Sequence, residues 1–323
     1  MMAAVATVTP RWLRPETRPD IHTARHGPVT DSPRLLIAGS GRLGAALVKA
    51  SAAAGDGYLI STLSRSATKL AGASHVVADL GRSADLLALG QNPFDALIYC
   101  PAPDQRSPAA YRQTYLYGLQ NLLSCGALRA NGRLIFVSST AVYGQDDGSH
   151  VDELSATRPQ ACNGQILLQA EQHALSWPAA SAGLRCCLRL AGLYEDLPRR
   201  YLQWLHQPLA DPGALLRWSN RIHLQDAARL ILLLLAQSRM PTHINGVDNE
   251  PSRLLEVLQW LAAQRGLTPP EPPPDASPRT GQGDGQRGKR VSNALAHSLG
   301  FVPVYPSFRE GFAESANTAA MES

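Results

Sequence analysis

Residues 34–44 read Arg-Leu-Leu-Ile-Ala-Gly-Ser-Gly-Arg-Leu-Gly, and an alanine-rich helical stretch follows at 45–54. An apolar run that enters Gly-x-Gly-x-x-Gly and leaves into a helix has few uses in a folded chain. Gly39 can supply the tight turn, Gly41 lets a pyrophosphate approach the backbone, and Gly44 lets the helix pack close to the strand. Phosphates then sit at the helix N-terminus, where unpaired N–H groups and the dipole favour negative charge. Gly39, Ser40, Gly41, Arg42, Leu43 and Gly44 are therefore expected to hold the pyrophosphate of a dinucleotide. The alternative is an ordinary glycine-rich turn that binds nothing.

The following segments keep the same alternation. Strands are predicted at Tyr58 to Leu63, His75 to Ala78, Phe94 to Cys100, Arg133 to Ser138, Leu184 to Leu190 and His243 to Val247. Helices are predicted at Tyr111 to Leu128, Gln165 to Leu175, Gln225 to Gln237, Arg253 to Arg265 and Val291 to Leu299. Strands spaced by helical segments imply an α/β fold, a Rossmann-like doubly wound parallel sheet. The expected dinucleotide-binding part is 33–190, with the chain returning to it at about 219–250. Residues 191–218 and 251–323 are assigned to a small C-terminal substrate lobe. The proline-rich stretch 1–32 reads as a disordered extension, and 269–288, rich in Pro, Gly, Gln and Asp, as a flexible loop.

The second strand closes with Ser64-Arg65-Ser66, where such a sheet meets the adenosine ribose. A carboxylate there would bond a 2′-hydroxyl; Arg suits a 2′-phosphate. Ser64 and Arg65 thus favour NADP over NAD. Asp79 and Leu80, at the end of the third strand, are counted with the cofactor residues.

Composition narrows the partners. The chain has 323 residues and a net charge of +4, and its only lysines are Lys49, Lys69 and Lys289. No basic run is interleaved with aromatics, which excludes an obvious nucleic-acid surface. Five cysteines without a Cys-x-x-Cys pair argue against a disulfide scaffold or a zinc site and fit a reducing, cytoplasmic setting. No apolar run is long enough to span a bilayer. The expected partner is a small-molecule substrate, with a homodimer left open.

A second motif is Phe-Val-Ser-Ser-Thr-Ala-Val-Tyr-Gly at 136–144. It is a buried strand ending in hydroxyls, and in an open α/β sheet ligands lie beyond the carboxyl ends of strands. With the glycine loop, it makes the chain resemble an extended short-chain dehydrogenase/reductase of the NAD-dependent epimerase/dehydratase family. Further likenesses are Val151-Asp152-Glu153, Arg189 with Leu193-Tyr194, 220–226 around Ile222-His223, and 244–251. The resemblance implies that Ser139 is the catalytic hydroxyl bonding the reacting oxygen. It places Thr140 and Arg189 beside the substrate. It also implies a Tyr-x-x-x-Lys pair on the next helix.

That pair is missing. Aligned on Ala170-Glu171, its positions hold Asn163 and Leu167, and no Tyr lies between Tyr143 and Tyr194 and no Lys between Lys69 and Lys289. A phenol of pKa near 10 needs help to exchange protons near neutrality, so the loss bears on chemistry. Tyr143, His223, Cys162 and His150 are candidate replacement donors, each with a plain structural role as its alternative. The chain resembles an atypical subgroup that keeps the glycine loop without the pair. Its ending, with Lys289, Arg290, Ser292 and Asn293 beside a helix start, is similar to that subgroup's small lobe and could meet a phosphorylated or nucleotide-linked substrate. Three readings stay open: an NAD(P)-dependent oxidoreductase or epimerase acting on a carbonyl or carbinol, a catalytically silent NADP-binding sensor or scaffold, and a carboxylate-dependent lyase.

Overall fold

The computed structural model describes residues 32–67, 69–177, 184–197, 199–206, 212–271 and 287–318. Residues 1–31 of the extension expected at 1–32, and most of the loop expected at 269–288, lie outside the described residues.

Seven parallel strands form the central sheet: β1 (Arg34–Ala38), β2 (Leu59–Ser64), β3 (Ser74–Val77), β4 (Phe94–Tyr99), β5 (Leu128–Ser139), β6 (Arg185–Leu190) and β7 (His243–Gly246). Their spatial order is β7-β6-β5-β4-β1-β2-β3. The order reverses between β1 and β4, which opens a crevice above β1 at the carboxyl edge. The doubly wound fold expected from the alternation is present.

The inner strands are buried on both faces, as parallel sheets require, while the edge strand β3 is partly exposed. Side chains alternate along a strand, so Leu35 and Ile37 face one layer and Leu36 and Ala38 the other. The first layer holds helix Arg42–Ala54 and helix Leu224–Ala236, with Leu47, Val48, Leu230 and Ile231 in its core. The second holds helices Ser83–Gly90, Gly118–Ser124 and Cys162–Ser176, with Leu86, Leu122, Leu167 and Ala170. A third cluster, of Tyr194, Tyr201, Leu215, Val257, Leu258, Leu261, Phe308 and Phe312, lies in the part of the chain expected to form the lobe.

Several boundaries differ from expectation for local reasons. The helix expected from Tyr111 starts earlier, at Pro108, with Ser107 as N-cap. It passes through a π-helical turn, Arg112–Tyr117, and ends at Ser124. Gly126, at φ +77°, turns the chain out of the helix, so Leu128 opens β5 instead. Arg290–Val291 pairs in parallel with His150–Val151, and Arg287–Gly288 with Arg217–Trp218. The expected helix from Val291 therefore shortens to Ala294–Ser298. The last residues of the expected loop, 287–288, are strand. No helix among the described residues is long and apolar enough to cross a membrane.

Candidate dinucleotide crevice and reacting centre

The glycine turn is built as its spacing requires. Gly39 has φ +115°, and a Cβ there would lie 2.8 Å from the Cys100 carbonyl. A Cβ on Gly44 would run into the Gly39 carbonyl oxygen, so the helix sits against the turn only because Gly44 has none. Gly41 is different: a Cβ there would meet nothing within 4 Å, and the residue is exposed. Its open face is the approach a pyrophosphate needs. Gly41 is also the N-cap of helix Arg42–Ala54, with no side-chain cap and no acidic residue in the first turn. The first-turn N–H groups are left for an outside acceptor. Ser40 is half-buried, Arg42 exposed, and Leu43 turns inward to the core. These residues fit a dinucleotide pyrophosphate. Below the turn, the Cys100 thiol donates to the Gly39 carbonyl at 3.6 Å, and burial pushes it up to about 12.

The adenosine side follows from β2 and β3. Ser64 Oγ donates to the Ser66 carbonyl at 2.8 Å, and His75 Nε2 lies 2.9 Å from the same oxygen. Ser64 therefore shapes the turn that presents Arg65. Arg65 is exposed and donates to Asp104 at 2.5 Å. Asp79 accepts from Gly81 N–H at 2.8 Å, and the Leu80 carbonyl accepts from Asn121 at 2.9 Å. Both hold the bend after β3, and the Asp79 charge acts on Arg65.

The opposite wall is the end of β5. Ser139 is half-buried and its Oγ accepts from Ala141 N–H at 3.2 Å, which leaves its own proton for another acceptor. Thr140 begins the short 3-10 turn after it and is also half-buried. A Cβ on Gly164 would run into the Ala141 carbonyl oxygen, so helix Cys162–Ser176 presses its first turn against this segment. A cavity of about 370 Å³ opens beside the first turn of the same helix, lined by Arg106, Ser107, Pro108, Tyr111, Cys162 and Asn163 and not by Ser139 or Thr140. Asn163, at the missing tyrosine position, faces it. Leu167, at the missing lysine position, is buried in the core instead. Tyr111 lines the same cavity from the facing helix; its ring packs on Tyr115 at 5.5 Å, and Tyr115 on Phe136 at 6.2 Å. No hydrogen bond among the described residues uses the Tyr111 hydroxyl.

Three side chains expected at the chemistry are committed to the core. Arg189 is 3% exposed and makes a two-pronged ion pair with Glu171, at 2.8 Å from NH2 to Oε2 and 3.0 Å from Nε to Oε1. Glu171 also accepts from Ser138 Oγ at 2.6 Å. Tyr143 donates to Asn245 Oδ1 at 2.8 Å and accepts from Arg189 at 3.0 Å; burial raises its phenol. A charged strand residue without water needs such partners, so Arg189 ties β6 to helix Cys162–Ser176 and does not face a substrate. His223 caps helix Leu224–Ala236 by accepting from Gln225 N–H at 3.2 Å, while Nε2 donates to the Glu195 carbonyl at 3.1 Å. Both ring nitrogens are engaged in holding the chain, and burial lowers its pKa, which favours the neutral ring. His150 is exposed on a short strand.

The C-terminal polar group is likewise anchored. Lys289 Nζ donates to the Tyr143 carbonyl at 2.7 Å, and burial lowers its pKa. Arg290 donates to the Gly148 carbonyl at 2.7 Å and covers the Trp218 ring at 5.1 Å. Asn293 donates to Asp248 O at 3.1 Å and to Asn249 Oδ1 at 2.8 Å. Lys289 is the member that reaches back to the end of β5. Among the described residues no His/Cys/Asp/Glu group could hold a metal ion.

The family model described as the NAD dependent epimerase/dehydratase family matches residues 35–245. The chain belongs to that family. It is 29% identical to Protein YeeZ of Escherichia coli (strain K12) over 282 residues, which cover 84% of this chain and 96% of that protein. A solved structure from Methylobacillus flagellatus, provisionally named an NAD-dependent epimerase/dehydratase, is 28% identical with a TM-score of 0.71, covering 91% of this chain and all of that one. MoeE5 in complex with UDP-glucose and NAD shares the fold, at 21% identity and a TM-score of 0.67, covering 90% of this chain and all of that one. Asp104, Arg106, Tyr111 and Gly164 were not singled out from the sequence. Gly164 had a visible signal, a glycine at the third residue of the helix beside Asn163.

Proposed function

We propose that this family member is an NAD(P)-dependent oxidoreductase or epimerase, preferring NADP, that acts on a carbonyl or carbinol of a sugar or nucleotide-linked substrate. The observation that carries the reading is the Gly39–Gly44 turn, with Gly41 open over an uncapped helix start. Gly39 to Gly44 would hold the pyrophosphate and Arg65 a 2′-phosphate. When bound, the nicotinamide supplies hydride exchange at the reacting carbon. Ser139 would hydrogen-bond the substrate oxygen, and Tyr111, which lines the neighbouring cavity, would hand that oxygen its proton. Asn163 would orient the substrate, and Lys289 would extend the polar wall. The sugar-nucleotide class rests on the family and on the ligand of MoeE5.

NADPH and NADH titrations by nucleotide fluorescence, followed by NADPH oxidation against a carbonyl panel and sugar nucleotides, test this. Binding of neither nucleotide at millimolar concentration defeats the reading. Tyr111→Phe is expected to remove turnover while leaving NADPH affinity within about twofold; full turnover in that variant removes Tyr111 from the chemistry. A second reading has one observation in its favour: helix Cys162–Ser176 carries neither phenol nor amine at the expected positions. A nucleotide-binding sensor would bind NADPH and oxidise it with nothing.

A further inference from the structure

Arg65 leaves the end of β2 and Asp104 lies beyond the end of β4. In the sheet β1 stands between those two strands, and the glycine turn leaves the top of β1. The Arg65–Asp104 ion pair, 2.5 Å between residues 39 positions apart in sequence, therefore joins the two loops across the mouth of the crevice. We propose that Asp104 is a specificity-determining residue that weakens this chain's affinity for a dinucleotide carrying a 2′-phosphate, by occupying the guanidinium such a phosphate must take.

The inference rests on the dinucleotide reading above and adds a determinant to it. Both side chains are well exposed, at 60% and 63%. Exposed pairs are worth little, so a dianionic phosphate with three acceptor oxygens displaces Asp104 from Arg65. It does so against two costs: the pair must open, and the freed carboxylate then stands beside the phosphate. Asp79 adds a second negative charge on the same guanidinium. A dinucleotide with a free 2′-hydroxyl meets neither cost, because the pair can stay closed beside it. Beside each other, Arg65 holds the Asp104 carboxyl low and Asp104 raises the Arg65 guanidinium. Arg65 alone reads as a phosphate hook; Arg65 with Asp104 reads as a hook that is already partly filled.

The experiment is a binding cycle on the full chain with NADPH and NADH, read by nucleotide fluorescence, using wild type, Asp104→Asn, Arg65→Ala and the double variant. Asn keeps the shape and removes the charge. Asp104→Asn is expected to tighten NADPH about threefold to tenfold, the span that opening an exposed pair and removing one nearby charge provide. NADH affinity should stay within about twofold. In the Arg65→Ala background the same substitution should change NADPH affinity less than twofold, because no guanidinium remains to release. An unchanged NADPH-to-NADH ratio in Asp104→Asn overturns the proposal while leaving nucleotide binding intact. A gain of equal size without Arg65 also overturns it, since it would be bulk charge repulsion. Binding of neither nucleotide by wild type is a different failure, that of the dinucleotide reading itself, and takes this proposal with it.

Discussion

Gly41→Ala separates a nucleotide-binding turn from an ordinary one. In the structure a Cβ at Gly41 meets nothing within 4 Å, and its φ of −70° suits any residue. Two stability effects then compete. Gly→Ala at a compatible site stabilises by about 0.4–1 kcal/mol through the unfolded chain. Ala is a poorer N-cap than Gly by an amount on the order of 0.5–1 kcal/mol. These cancel to within about 1 kcal/mol, so thermal and urea midpoints should barely move. Cofactor binding should not be spared. The methyl would occupy the face a pyrophosphate must approach, and losing one hydrogen bond to a charged group costs about 1.5–3 kcal/mol, or roughly 10- to 150-fold in affinity. The assay is NADPH fluorescence titration beside a urea melt on the same preparation. Gly44→Ala is the counterpart: its methyl strikes the Gly39 carbonyl, so it should lose about 1–3 kcal/mol of stability. A folded Gly41→Ala protein that binds NADPH within threefold of wild type would refute the assignment of the turn.

Arg189→Met should destabilise by about 3–5 kcal/mol in urea titrations, because it strands Glu171, 1% exposed, with only Ser138 and a more distant His243 for company; adding Glu171→Leu should restore much of the loss, and a single variant as stable as wild type would show that the pair does not hold β6. Asp248 offers a pH test. It is buried, its Oδ2 has no hydrogen-bond partner among the described residues, and burial pushes its carboxyl up to about 8. Between its unfolded value of about 3.9 and about pH 8 the folded chain holds a proton that the unfolded chain has lost. The stability it contributes is complete below about pH 4 and gone above about pH 8. The advantage of Asp248→Asn over wild type should therefore widen from pH 5 to pH 8, and urea midpoints that keep a constant gap would show that Asp248 does not titrate there.

What was legible in the chain follows from how strongly each feature constrains its neighbours. The sheet strands are short apolar runs buried on two faces, and such runs have no other stable use between helices. The glycine turn was legible because each glycine answers to a separate contact: Gly39 to Cys100, Gly44 to Gly39, Gly41 to open space. Helix limits were harder, because Gly126 and the Ser107 cap act through single backbone angles and bonds. Asp104 could not be read locally at all: it meets Arg65 only because the crossover puts β1 between the strands that carry them. Motif proximity also misleads about direction. Arg189 sits in a strand whose residues are all buried, so a partner was required, and Glu171 on the facing helix was the available carboxylate.

The missing Tyr and Lys have a sharper meaning once the helix is seen. Leu167 is 3% exposed and packed in the cluster with Leu134 and Phe136. The lysine position has thus become part of the core, and a lysine restored there would bury an ammonium among apolar groups. Asn163 still faces the cavity, so only half of the old pair's place remains available. Chemistry on this helix cannot be recovered by a single reversion. The proposed chemistry then needs a proton donor from another wall, and Tyr111 and Arg106 are residues that line the same cavity. Both come from the segment after β4, the same segment that carries Asp104. On the proposed reading, cofactor choice and proton supply both fall on one loop and its helix, within residues 104–111.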